Sequence, residues 1–483
     1  MKIENLMRNL EVVEFIGDKE LDIESLSHSS KSIEKNSMFF CLVGDNFDGH
    51  SFVKEAVDNG ATCIVVNTIQ DVNCAQIVVK DTRLAMTIIS SNFYENPEKY
   101  LKFIGIVGTN GKTTTSFIIA SILKEKGIKV GIIGTNGIYI DNYYIPNNFT
   151  TPDPIELYFN LNQMVAFGVD IVVIETTAHA IALNKLKGLN FELGVFTNIT
   201  NEHLDFFGSM EKYSNTKLNF LNDKNNFKEL VVNIDDSYGK KLAMETKLPC
   251  ITYGISNPAN VFAIDIKYSI DKMKFLINFN DEVFEIESNL IGDYNVYNLM
   301  ASITVGKIFG CTNNQICTAI KNLKKVKGRF EVFKFGLDKT IIVDFAHTPD
   351  GFEKCLSLVK SLSKGKIISL FGCVDYSDIE KRKIMGEIAS NYSDYIILTS
   401  DNPNFESVTS ICESIKKGIS KNKKVFVIED RIEAVKFGLK LLNTLDTLVL
   451  LGKGGETKQK IKGVDYFYDE IEFVKSIIGK NKV

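Results

Sequence analysis

One stretch constrains this chain more than any other: KFIGIVGTNGKTTT, residues 102–115. An apolar run that reads as a buried strand ends in a glycine-rich turn, and the segment after it, TSFIIASILKEKG, has helical spacing. In that order the pieces make a phosphate loop. Backbone N–H groups and a helix N-terminus cradle an anion, a lysine reaches the outer phosphates, and the next hydroxyl holds Mg²⁺. Gly108, Thr109, Asn110, Gly111, Lys112, Thr113 and Thr114 are the nucleotide contacts this predicts. The strict pattern wants a glycine five residues before Gly111; Ile106 stands there, with Gly105 and Gly108 on either side. The loop is therefore a variant, and a plain glycine turn between strand and helix is the alternative.

A length of 483 residues suggests about three domains. A net charge of −4 gives no reason to expect nucleic acid or an anionic membrane as partner. Nine cysteines lie scattered without CxxC spacing, which points away from zinc and disulfides and fits a reducing cytoplasm. The opening MKIENLMRNLEVVEF has charges among its apolar residues and no signal-peptide core, and no apolar run approaches the ~20 residues of a membrane span.

Residues 1–98 read as a small α/β domain, with SMFFCLVG and TCIVVN as strands and SFVKEAVDNG as a helix stopped by glycine. His50, in the polar turn GDNFDGHSF, is a candidate ligand contact and, more plainly, a surface residue. Residues 99–330 carry strand-then-polar units: KFIGIV then GTNGKTTT, KVGIIG then TNG, DIVVIE then TTAH, LGVF then TNITNEHLD. Such units, alternating with helices, predict a largely parallel sheet whose polar strand ends gather at the carboxyl edge. Glu175, His179, Thr197, Asn198, Glu202, His203 and Asp205 are thereby drawn towards the phosphate loop. A carboxylate and an imidazole beside a triphosphate suggest a second Mg²⁺ site. Residues 331–483 repeat the logic through TIIVDFAHTPD, IISLFGCVDYSD, YIILTSDNPNFE and TLVLLGKGGET, a second, Rossmann-like domain. The short basic linker LKKVKGRFEVF reads as a hinge, with Arg329 within reach of the nucleotide.

GTNGKTTT at 108–115, FTNIT with EHLDFFGSMEKY up to Tyr213, GDYNVYN at 292–298, GRFE at 328–331, DFAHTPD at 344–350, EKRKIMGEIA at 380–389, SDNP at 400–403 and GKGGE at 452–456 occur in this order. Together the three units resemble the Mur ligases, ATP-dependent enzymes that add amino acids to the cell-wall precursor. Within them the match is to the tripeptide-synthetase branch, which adds the third residue of the stem peptide. The resemblance implies a fold of three α/β domains: residues 1–98 for the uridine nucleotide, 99–330 for ATP and 331–483 for the amino acid. It implies ATP and two Mg²⁺ ions, with Thr113, Glu175, His203 and an N6-carboxylated Lys217 around the metals and Lys112 on the phosphates. Asn295 and Asn298 match adenine-side residues, and Arg329, Asp344 and His347 match groups that close on the nucleotide. Thr150, Thr151 and Lys185, with Ser30 and His50 in the first domain, match residues for a UDP-linked muramoyl dipeptide. Arg382, Asp401, Asn402, Asn404, Gly452 and Glu456 match the amino-acid side. A cytoplasmic monomer engaging no membrane is implied.

The chain departs from the family where substrates bind. The family's E-V-S-S-H reads Glu175-Thr176-Thr177-Ala178-His179, its D-S-R reads Ser29-Ser30-Lys31, and its GCGGDRD reads Gly372-Cys373-Val374-Asp375-Tyr376-Ser377-Asp378. DNPR, in enzymes that choose meso-diaminopimelate, reads Asp401-Asn402-Pro403-Asn404. Without that arginine a distal carboxylate loses its bidentate partner, so L-lysine is the expected amino acid. Two other readings stay open: a paralogue joining another amino acid to another carrier, and a non-catalytic nucleotide-binding subunit.

Overall fold

The computed structural model describes residues 1–480 except 45, 46, 148, 269–271, 325, 337, 377 and 378. Asp45 and Asn46 of the GDNFDGHSF turn, Lys325 of the linker, and Ser377 and Asp378 of the loop after Gly372 lie outside the described residues. The chain forms three main sheets in succession, of five, eleven and six strands, and a two-stranded hairpin.

In the first sheet, Ser25–Ser27, Ser37–Phe40, Ala61–Val66 and Ala75–Val78 run parallel, and Glu14–Ile16 closes one edge antiparallel. Asp81 caps the helix Thr82–Phe93 by accepting from the Arg83 and Leu84 amides, and Ala85, Met86 and Ile89 of that helix are buried in this sheet's core.

The second sheet is centred on the strand Lys102–Val107, with Ile171–Thr176 and Phe191–Phe196 parallel on its two sides. Helices Lys112–Glu125, Asp293–Ile308 and Asn313–Lys321 cover one face through a core containing Ile104, Ile106 and Val173. Helices Pro154–Ala166 and Met210–Leu221 cover the other through Phe103, Val172 and Ile174. Both faces are buried, which is why these strands read as unbroken apolar runs. Ile106 is completely buried inside the strand. The position where the strict motif wants glycine is therefore core, and the turn proper is confined to Gly108–Gly111. Antiparallel strands extend the sheet at both ends, Gly137–Ile140 and Tyr143–Ile145 at one and Met273–Phe279 and Glu282–Ser288 at the other. The sequence reading had not included these.

The third sheet runs Glu331–Phe335, Lys339–Asp344, Thr447–Leu451, Ile367–Phe371, Tyr395–Leu398, Lys424–Val427 in spatial order, parallel except for its first strand. The hairpin of Lys458–Ile461 and Val464–Phe467 follows its GKGGE loop. No helix among the described residues is long and apolar enough to cross a membrane.

Candidate active site

The phosphate loop is held from the neighbouring strand end. Thr109 N–H donates to the Asn198 carbonyl at 2.8 Å and Asn110 N–H to Asn198 Oδ1 at 2.9 Å, while Thr197 Oγ1 donates to the Asn110 carbonyl at 2.8 Å. Gly111 caps the helix Lys112–Glu125 at φ +87°, and a Cβ there would lie 2.4 Å from Asn298 Oδ1, so both backbone and space require glycine. The helix's first amides are left facing the loop's concavity, an anion site by construction. Lys112 Nζ folds back onto the Gly108 and Thr109 carbonyls at 2.9 and 2.8 Å. Burial pulls this ammonium below the usual lysine range, against Glu202 and Glu175, which raise it.

Glu175 pairs in register with Ile106, so its side chain leaves the sheet level with the loop. Its Oε2 accepts from Thr113 Oγ1 at 2.8 Å and Thr135 Oγ1 at 3.1 Å, and its Oε1 from the Thr135 amide at 3.1 Å. Burial raises this carboxyl, and Lys112, Thr113, Arg329 and the Thr135 amide oppose that. Thr113 and Glu175 are hard oxygen donors in direct contact, a donor set that fits Mg²⁺.

A second cluster surrounds Glu202. Its carboxylate faces His203 Nε2 at 3.6 Å, His347 Nε2 at 3.4 Å and the Tyr213 hydroxyl at 3.3 Å. Burial pushes Glu202 up, but the His347 hydrogen bond and the charges of His203 and Lys112 hold it below the usual carboxylate range. Lys217, 1% exposed, hydrogen-bonds the Tyr213 hydroxyl and lies over that ring at 4.1 Å. Its ammonium is held well below the lysine range, chiefly by burial and then by Lys112. His203 also meets His179 edge to face at 4.6 Å; burial and His203 draw His179 down to about 4. The four residues that the resemblance placed around the metals thus fall in two places on one cavity wall, Thr113 with Glu175 and His203 with the Glu202–Tyr213–Lys217 set. Among the described residues no three His, Cys, Asp or Glu side chains form a metal cage.

The third domain meets this edge directly. Arg329 Nη2 donates to Thr113 Oγ1 at 3.1 Å, with its guanidinium 4.3 Å from the Phe345 ring centre. Asp344 accepts from the Phe330 and Ala346 amides at 2.7 and 2.8 Å, so its carboxylate fixes the hinge backbone. Asn110 Nδ2 donates to Asp350 Oδ2 at 2.9 Å across the cleft. One cavity of about 1840 Å³ runs between the domains, lined by Lys112, Glu175, His203 and Lys217 at one end and Asn402, Glu456 and Lys460 at the other.

The Mur ligase middle domain matches residues 106–306, the Mur ligase glutamate ligase domain 328–454 and the Mur ligase family catalytic domain 22–103. Over 487 residues the chain is 37% identical to the UDP-N-acetylmuramoyl-L-alanyl-D-glutamate–2,6-diaminopimelate ligase of Clostridium tetani, with 99% of each chain covered. The chain belongs to the Mur ligase family. A ligase of the same name from Aquifex aeolicus is 38% identical over 458 residues, covering 95% of this chain and 94% of that one. A solved structure of a ligase of that name matches with TM-score 0.67 at 26% identity over 100% and 99% of the two chains. The MurF ligase of Thermotoga maritima in complex with ADP shares the fold at TM-score 0.65 and 20% identity, over 96% and 99%. This Mur ligase is an ATP-dependent enzyme that forms a carbon–nitrogen bond, as the sequence resemblance implied.

The remaining residues of interest in this Mur ligase divide by access. Thr150, Asn295, Asn298, Asp344 and His347 line the cavity with the phosphate-loop residues. Thr151 does not; its hydroxyl donates to the Glu175 carbonyl at 2.8 Å and steadies that strand end. Lys185 is buried in a 2.8 Å pair with Asp153. Ser30 donates to Glu55 at 3.0 Å, and both ring nitrogens of His50 are engaged, with Asp48 at 2.6 Å and the Asn67 amide at 3.1 Å. Arg382 is 1% exposed and bonded through both terminal nitrogens to Glu406 at 2.8 and 2.7 Å, away from the cavity lining. Gly452 has φ +102° against Asp401, Asp401 lies 3.7 Å from Lys453, and Asn404 Oδ1 accepts from the Gly463 amide at 2.8 Å. None of these last three lines the cavity. Sequence reasoning passed over Lys453, whose completely buried ammonium holds Glu456 at 2.7 Å and Asn402 at 2.9 Å. It also passed over Thr135 and Tyr213, of which Thr135 was signalled as the first polar residue after its strand.

Proposed function

We propose that this Mur ligase adds the third residue of the stem peptide, joining a diamino acid to a free glutamate carboxylate of UDP-N-acetylmuramoyl-L-alanyl-D-glutamate. The observation that carries this is the single cavity that joins the phosphate loop to the Asn402–Glu456 loops, in a chain alike end to end with ligases named for that reaction. The expectation of L-lysine drawn from Asn404 has no support among those relatives, which are named for 2,6-diaminopimelate.

A carboxylate is a poor electrophile, so its oxygen attacks the γ-phosphorus of ATP, ADP leaves, and an acyl phosphate forms. The amine then attacks the acyl carbon, the tetrahedral intermediate loses phosphate, and the amide remains. Positioning and charge neutralisation carry most of such transfer. In our reading Lys112 swings from the loop carbonyls to the outer phosphates, Arg329 covers the transferring group, and the helix amides hold the phosphates. Thr113 and Glu175 would hold a Mg²⁺ ion, which would neutralise charge on the phosphate oxygens. Burial that draws the Lys217 ammonium well below the usual lysine range favours its reaction with CO₂: the nitrogen bonds the carbon, a proton leaves, and the resulting carbamate would offer an oxygen donor to a second ion. Asn295 and Asn298 are assigned to the adenine end and Thr150 to the UDP-linked substrate. We assign residues 1–98, 99–330 and 331–483 to the uridine, ATP and amino-acid ends of a cytoplasmic monomer; its nine free thiols fit that compartment.

The test is phosphate release and product mass with ATP, Mg²⁺, the UDP-linked dipeptide and a panel of amino acids. A tripeptide product bearing a diamino acid supports the reading. Turnover only with an acid other than the UDP-linked dipeptide contradicts it.

A further inference from the structure

The far end of the cavity is bordered by the hairpin of Lys458–Ile461 and Val464–Phe467. Its seat is set by backbone bonds to the Asp401-Asn402-Pro403-Asn404 loop. Lys460 N–H donates to Asn402 Oδ1 at 3.0 Å, and Asn404 N–H donates to the Lys460 carbonyl at 3.0 Å. Gln459 Nε2 reaches Ser400 Oγ and the Asp401 carbonyl at 2.8 and 2.9 Å. Side chains alternate along a strand, so with Gln459 turned to that loop, Lys458 and Lys460 share the opposite face. Both line the cavity, as does Asp465 of the returning strand.

The charges on this face do not all pair. Asp465 stands opposite Lys460 in register, yet its carboxylate lies 3.5 Å from Lys458. Lys453 is taken up by Glu456 and Asn402 beneath the hairpin. Lys460 has no carboxylate within ion-pair distance among the described residues. The exposed Lys460, held at its backbone on both sides, therefore lies at the cavity rim beside an ammonium–carboxylate pair. Asn404, by contrast, spends its side-chain oxygen on the Gly463 amide and supports the hairpin's turn.

We propose that Lys460 is the specificity residue that holds the distal carboxylate of the incoming amino acid, with Asp465 receiving the distal ammonium. A substrate whose far end is itself a zwitterion, a diamino diacid, satisfies both groups. L-lysine, whose far end is an ammonium alone, answers Asp465 but brings a like charge towards Lys460. The cation absent from the Asn404 position is in this way supplied from the hairpin, as a point charge on a flexible stem in place of a planar fork. This rests on the ligase reading above.

The full chain, as wild type, Lys460→Met, Lys460→Arg and Asp465→Asn, is assayed with ATP, Mg²⁺ and the UDP-linked dipeptide against meso-2,6-diaminopimelate and L-lysine. Wild type is expected to favour diaminopimelate. Lys460→Met is expected to raise the diaminopimelate KM about 10- to 100-fold, the effect of one hydrogen bond to a charged group, with a much smaller change in kcat. Lys460→Arg keeps KM within about threefold of wild type, because it keeps the charge. Asp465→Asn raises KM for both amino acids. A wild type that takes L-lysine and refuses diaminopimelate, or a Lys460→Met with the wild-type KM, overturns the assignment and leaves the ligase reading standing. Silence of the wild type with every amino acid overturns the ligase reading, and this assignment with it.

Discussion

Arg329, in the linker before the third domain, donates to Thr113 Oγ1 of the phosphate loop at 3.1 Å while its guanidinium rests 4.3 Å from the Phe345 ring centre. The Phe345 ring restrains the guanidinium beside Thr113, and under the proposed function its remaining N–H groups serve the transferring phosphoryl group. Arg329→Ala should lower phosphate release on the order of 100-fold or more. Arg329→Lys should recover only part of it, because a lysine keeps the charge without the fork. Equal activity of the Lys variant and wild type in steady-state assays would show that charge alone matters.

Lys112 now bonds two carbonyls of its own loop, so its removal frees acceptors without opening a core cavity. Lys112→Ala should cut turnover to about one thousandth or less, with circular dichroism and the unfolding midpoint near wild type. Undiminished phosphate release would remove Lys112 from the phosphate site.

Lys217→Ala should reduce turnover at least about 100-fold, and short carboxylic acids should restore part of it by standing in for the carbamate. A separate, equilibrium signature comes from its depressed ammonium. Unfolded, this lysine keeps its proton up to about 10.5; folded, burial releases it earlier, so the unfolded chain binds more protons in between. Stability contributed at this site therefore rises with pH towards 10.5. In protein freed of CO₂, Lys217→Met should flatten the slope of denaturant stability against pH above neutrality, and a slope matching wild type would contradict the depression of this ammonium by burial.

Arg431 and Glu470 form a pair 2.7 Å apart at 1% and 0% exposure, tying the helix Arg431–Leu441 to Glu470–Lys480 beneath the third sheet. Arg431→Met strands the Glu470 carboxylate and should cost about 3–5 kcal/mol in chemical denaturation. Replacing both partners by apolar residues should cost much less; equal losses in the single and double variants would mean the pair is not the cause.

What was legible in the sequence was local chemistry. Gly111, Lys112 and Thr113 follow an apolar strand with fixed spacing, and Glu175 ends another, so the sheet's parallel order brings them to one edge. The alternation in KMKFLINF was also there to be read: Met273, Phe275 and Ile277 are buried and Lys274 is exposed. Arg382 and Arg431 were not legible, because only a distant Glu406 or Glu470 turns a surface-type residue into a buried one. Lys453 lies inside the GKGGE motif and Lys460 in the hydrophilic run TKQKIKG after it, and nothing local marks the first as buried or the second as bordering the cavity. Their placement depends on Asn402, about fifty residues earlier, and on hydrogen bonds that no local pattern encodes.

Oxygen transfer tests the central claim most directly. If the substrate carboxylate attacks ATP and the amine displaces phosphate, one carboxylate oxygen must leave in that phosphate. With both carboxylates of the terminal glutamate of the UDP-linked dipeptide labelled with ¹⁸O, mass spectrometry of the released phosphate should find one labelled oxygen per product formed. Unlabelled phosphate accompanying the amide product would contradict an acyl-phosphate ligase.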